Sequence, residues 1–169
     1  MSKLYVDEIQ PKTTGGIITM PTTIAFDASR TSSGTGAEGW QGVITFNHVT
    51  TNIGNAYNSS NGRFTAPVAG TYEFTHMGMG SGNSGGGGLA ANNSVQLYFR
   101  KNGSDTNTTR YGRVYAYSTA TTYPNLSTSI ILTLAQNDYI EVYYHAYFMY
   151  VEADHIWNNF TGKLIGASS

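Results

Sequence analysis

Apolar and polar residues alternate along much of this chain, the period expected of strands that bury one face. Residues 42–47 place Ile44 and Phe46 on one side and Val43 and Thr45 on the other. Residues 71–77 point Tyr72 and Phe74 inward, and residues 94–100 set Val95, Leu97 and Phe99 on a single face. The same reading predicts strands over 24–26, 63–67, 110–117, 128–134, 139–144 and 159–165. Asn61-Gly62, Val68-Ala-Gly70, Lys101-Asn-Gly-Ser104 and Ala135-Gln-Asn-Asp138 supply turns between them. Strands at a spacing of roughly ten residues indicate an antiparallel sandwich or jelly roll. No segment carries a helical period and no internal repeat is present. The glycine-rich stretch 78–93 interrupts the alternation and is read as a long exposed loop.

Residues 1–23 differ from the rest. Leu4, Val6 and Ile9 fit one short strand, after which Pro11, Gly15-Gly16 and Pro21 break the chain. A segment this short holds no core, so the pattern predicts an arm over 1–23 that docks elsewhere and a single domain over 24–169.

Composition narrows the function. Hydrophobic residues make up 40% of the 169, enough for a core, but charged residues only 11%, against about 25% in an average soluble domain. Such a surface favours self-association. The net charge is -1 and the nine Lys and Arg are scattered, which argues against a nucleic-acid partner. No run approaches the roughly 18 apolar residues of a membrane span, and the first residues contain no signal-peptide core. With no cysteine, burial and subunit contacts must hold the fold. Release from a cytoplasm without conventional export is the expected route.

Catalytic signals are absent: the sequence has no G-x-S-x-G, no cysteine and no paired carboxylates in an apolar run, so no enzyme activity is expected. Gly80-Ser-Gly-Asn-Ser-Gly85 satisfies G-x-G-x-x-G, but it lacks a following helix and reads as surface loop. His48, His76, His145 and His155 are too dispersed for a compact metal motif. No cofactor is expected, and no stretch reproduces a calcium-binding loop. The most informative stretch is 145–157, where alternation fails among aromatic residues. His145, Tyr147, Phe148, Tyr150, Asp154 and Trp157 form a candidate recognition surface, because sugar faces stack on aromatic rings while polar groups bind hydroxyls. Tyr139 and Tyr143, by contrast, are assigned to packing within the sandwich or along a subunit axis.

Several of these segments, in this order, resemble the C1q-like domain of the C1q and tumour necrosis factor superfamily. Gly62-Arg-Phe-Thr-Ala-Pro-Val-Ala-Gly-Thr-Tyr-Glu-Phe74 matches the hallmark Gly-x-Phe-Thr-Ala-Pro-x-x-Gly-x-Tyr-x-Phe. Val43 to Asn55, Val95 to Gly103, Leu132 to Val142 and Phe160 to Ile165 resemble further family strands, although Asn137 stands where glycine is usual. The resemblance implies a jelly roll of about ten antiparallel strands that forms a homotrimer and binds partners through loops and rims, without chemistry. It leaves calcium open near the trimer top, with Asp27 and Asp138 as acids to test. Lys3 to Pro21 is similar to N-terminal segments of bacteriophage virion and tail-fibre proteins.

Together these imply a virion protein, assembled in the host's cytoplasm. Its arm, with Leu4, Val6 and Ile9, docks on other virion proteins, and its trimeric head binds a host-surface glycan or protein. A capsid decoration or connector with no host ligand, and a secreted C1q-like lectin, are the alternatives.

Overall fold

The computed structural model describes residues 23–31, 36–38, 41–82, 87–106, 108–145, 148–151 and 157–167; the predicted arm, with Leu4, Val6 and Ile9, lies outside them. The described residues are all-β. Their strands are β1 (Ala25–Ser29), β2 (Gly36–Glu38), β3 (Gln41–Val43), β4 (His48–Ile53), β5 (Tyr57–Asn58), β6 (Arg63–Thr65) and β7 (Gly70–Gly78). There follow β8 (Gly80–Ser81), β9 (Ser94–Lys101), β10 (Arg110–Tyr117), β11 (Thr128–Leu134), β12 (Tyr139–His145), β13 (Phe148–Val151) and β14 (Asn158–Ala167).

Two antiparallel sheets face each other. The first has the order β11-β7-β14-β1-β4; the second has the order β10-β9-β12-β6-β5, with β3 also pairing β12. A small third sheet, β2-β13-β8, lies at one end, where β8 follows directly on β7.

Alternation drives the assembly. In β7, Tyr72, Phe74 and His76 turn inward and are buried, while Thr71, Glu73, Thr75 and Met77 face out. In β12 the inward set is Ile140, Val142 and Tyr144. The two inner faces close over an aromatic core centred on Phe160, whose ring meets those of Phe26, Phe46, Tyr57, Phe74 and Phe99 at 4.8–6.2 Å. Mixed edge-on, tilted and stacked contacts are the favoured geometries for such rings. Tyr57 keeps its hydroxyl satisfied inside this core by donating to Phe46 O and accepting from Phe46 N. Burial pushes that phenol up to about 12.

The turns follow their predicted chemistry. Asn61-Gly62 closes on Asn58 O, and Asn102-Gly103 holds both residues at positive φ. Asn137 adopts φ 71°, a left-handed conformation that asparagine tolerates best after glycine, which explains how it fills a turn position where glycine would be the default.

Several segments differ from the alternation pattern. The strand expected over 42–47 forms only as β3, Gln41–Val43, although Ile44 and Phe46 beyond it are buried as expected. Residues 48–53 form the edge strand β4, which alternation does not mark, because an edge exposed on several sides shows no burial alternation. The stretch 78–93 is not a wholly exposed loop: Gly78, Gly80 and Ser81 are buried, and Leu89 is a fully buried core residue bridged to Thr122. Its glycines serve close packing, since a Cβ on Gly82 would fall 2.3 Å from the carbonyl oxygen of Gly88.

Candidate functional site

Strands β12 and β14 place His145 and Trp157, two of the residues read from the sequence, at the end of the sandwich where β7 finishes and β14 begins. His145 is the last residue of β12, half-buried, in a row with Gln96 of β9 and Gln41 of β3. Phe148 and Tyr150 lie in β13, which pairs with β8 through Phe148 and Met149 and with β2 through Met149, Tyr150 and Val151. Tyr147 and Asp154 lie outside the described residues.

Trp157, 36% exposed, immediately precedes β14 and lines a depression of about 150 Å³ with Met77, Gly78, Met79, Tyr123 and Asn125. The wall carrying Tyr123 and Asn125 is pinned by backbone bonds from Leu126 N to Gly78 O and from Gly80 N to Pro124 O, both 2.8 Å. The hollow is uncharged and partly aromatic, and two of its three lining segments are tied together by backbone hydrogen bonds. The sequence identified Trp157 but not Met77, Met79 or Asn125, because only the fold brings these three segments together.

The outward face of the first sheet is the second surface of interest. It presents Ile53, Met77 and Ile131, all 48% exposed or more, among Thr51, Thr75, Thr161 and the ion pair Glu73–Lys163. A groove of about 290 Å³ crosses it, lined by Asp27, Thr51, Glu73, Thr75, Thr161 and Lys163. At the neighbouring edge, Tyr115 and Tyr117 of β10 are each 55% exposed.

The outward face of the second sheet is spent on itself. The Glu141 carboxylate, fully buried in side-chain terms, receives Arg63 Nε at 2.9 Å on one oxygen and Arg100 Nε and Nη2 at 2.9 and 2.5 Å on the other. The same two guanidinium groups lie over the Tyr139 and Tyr143 rings at 4.2 and 3.9 Å. Tyr143 stacks on Tyr98, whose hydroxyl donates to Asp105. Burial and the adjacent Asp105 carboxylate push Tyr98 up to about 12, while the Arg110 guanidinium holds Asp105 below the usual carboxylate range. Tyr139 and Tyr143 thus lie half-buried on the outward face beneath two guanidinium groups, and not inside the sandwich as expected, because Ile140, Val142 and Tyr144 occupy the inward parity of β12. The buried Glu141 was missed; a lone acid inside the apolar run Tyr139-Ile-Glu-Val-Tyr was the available signal.

The two acids considered for calcium lie on different elements and have protein partners. Asp27 accepts from Thr50 Oγ1 and Asn159 Nδ2. Burial alone would raise Asp138, but the Lys101 ammonium, the Asn102 amide and the Ala135 N–H together hold it below the usual carboxylate range. Among the described residues, no three His, Asp or Glu side chains converge as a metal site would require.

The comparisons with known proteins agree on the fold. Residues 25–165 match the family model of the C1q domain. The globular domain of zebrafish complement 1qA superposes with a TM-score of 0.64 at 17% identity, covering 86% of this chain and 99% of that one. Murine APRIL at pH 5.0 gives 0.64 at 8% identity, covering 85% and 100%. Eiger TNF from S. frugiperda gives 0.60 at 11%, covering 87% and 95%. No match to a curated protein was found by sequence.

Proposed function

The chain belongs to the C1q domain family, and from that premise we propose that it is a trimeric, non-enzymatic binding protein of a bacteriophage particle. The observation that carries the trimer is the outward face of the first sheet. Ile53, Met77 and Ile131 leave apolar surface bare in a chain whose charged content is only 11%. Packing that face against the tyrosine edge of a second copy removes apolar area from water, and three such contacts close a ring.

Binding then works by multivalency. The Trp157 depression is small, so one copy holds a ligand weakly, while three copies engaging together gain about 10²–10⁴ in avidity where the geometry allows. On the second sheet's outward face Glu141, Arg63, Arg100, Asp105 and Arg110 are paired among themselves, which favours the Trp157 end as the contact region. The virion setting is supported by the likeness of residues 3–21 to phage attachment segments and by the absence of cysteine. In this reading the arm docks on the particle and the head meets a host-surface glycan or protein.

Immunogold labelling of particles from a producing culture tests the setting. Label at distal fibre tips is expected. Label spread over the capsid would make the protein a decoration or connector, and protein found only free in the medium would make it a secreted lectin.

A further inference from the structure

His76 and Tyr144 are buried polar residues with no role in the binding surfaces. His76 points inward from β7 and is completely enclosed. Its Nδ1 lies 2.8 Å from Asn159 O. A carbonyl oxygen only accepts, so Nδ1 carries the proton and the neutral ring presents Nε2 as an acceptor. That Nε2 is buried and meets no protein donor. Tyr144 points inward from β12 of the opposite sheet, also completely enclosed, and its hydroxyl likewise meets no protein partner.

These two orphaned atoms converge. The rings stand edge-on at 6.2 Å and 89°. Both polar atoms border the same glycine: a Cβ on Gly78 would lie 2.7 Å from His76 Nε2 and 3.3 Å from Tyr144 Oη. Phe46 closes another side, its ring 5.7 Å from the imidazole. A buried acceptor and a buried donor left unmade are each costly, whereas a water in a polar niche satisfies both at once.

We propose that a single internal water sits beside Gly78, donating to His76 Nε2 and accepting from the Tyr144 hydroxyl. This water links the first sheet to the second through hydrogen bonds, inside an otherwise apolar core. Its position gives it a consequence for the surface. Tyr144 directly precedes His145, and Gly78 lines the Trp157 depression, so the bridge fixes the relative setting of both segments.

Two measurements on the full chain test it. A high-resolution crystal structure is expected to show a water within about 3 Å of both Nε2 and Oη. An empty gap, or a direct Tyr144–His76 hydrogen bond, would overturn the proposal. Independently, Tyr144→Phe removes the hydroxyl with little change of shape. If the water is there, the substitution strips one of its partners and the Tm falls by about 2–4 °C. If the hydroxyl is truly unpaired, its removal relieves a buried polar group and the Tm rises, which would contradict the bridge.

Discussion

Acid should weaken this fold through His76 in a defined pH window. The residue is fully enclosed, and burial is the leading reason its pKa falls from 6.5 to about 4, with the Asn159 hydrogen bond opposing. Tyr144, Phe46 and the Asn159 carbonyl surround the ring, and no charged side chain is among these neighbours. As pH drops below about 6.5 the unfolded chain binds a proton that the folded chain refuses until about pH 4. The unfolded state therefore gains, and stability falls with decreasing pH across that interval. A difference of about 2.5 units at 1.36 kcal/mol each corresponds to about 3 kcal/mol, fully present above pH 7 and lost by pH 4. Urea unfolding at fixed protomer concentration, at half-unit steps from pH 7.5 to 4, measures it directly. The control is His76→Leu, in which this contribution vanishes while carboxylates such as Asp105 and Asp138 titrate as before. Wild type should lose about 3 kcal/mol more than the variant between pH 7 and 4. Parallel curves for the two proteins would refute the reasoning.

Other sites give contrasting outcomes. Glu141→Ala leaves Arg100, with only 13% of its side chain exposed, without its carboxylate, and should cost about 3 kcal/mol in urea unfolding. Gly62→Ala should also destabilise, by more than about 1 kcal/mol, because φ is 72° and the new Cβ would lie 2.2 Å from Ile44 O. Phe160→Ala removes the central ring of the core and should cost about 3–5 kcal/mol. Trp157→Ala, at an exposed position, should leave the melting temperature within about 2 °C while reducing binding to host cells in a sedimentation assay.

The fold was largely legible because its signals are local. Alternation in 71–77 and 94–100 names the inward residues Tyr72, Phe74, Val95, Leu97 and Phe99, and Asn-Gly pairs fix the turns. In 139–144, where aromatic or aliphatic residues occupy both faces, the pattern does not tell Tyr139 and Tyr143 from Ile140 and Val142. What stayed hidden depends on contacts distant in sequence. Leu89 anchors the core only because Thr122 is brought beside it, and nothing in a run of glycines reveals that. Glu141 is buried because Arg63 and Arg100 arrive from two neighbouring strands. Of the candidate site, Trp157 and His145 were readable as polar-aromatic residues where alternation ends. The hollow that gives Trp157 its meaning joins positions 77–79, 123–125 and 157, a juxtaposition that only the sheet topology creates.

Association of three copies through the first sheet's outward face is what makes multivalent binding possible. Light scattering behind a sizing column measures it directly, with one chain weighing 18.3 kDa. A mass of three chains that persists on dilution, and that falls to one chain when Ile131 is replaced by Asp, is the predicted result. A wild-type monomer across the same concentrations would contradict the trimer and remove the basis for multivalent binding.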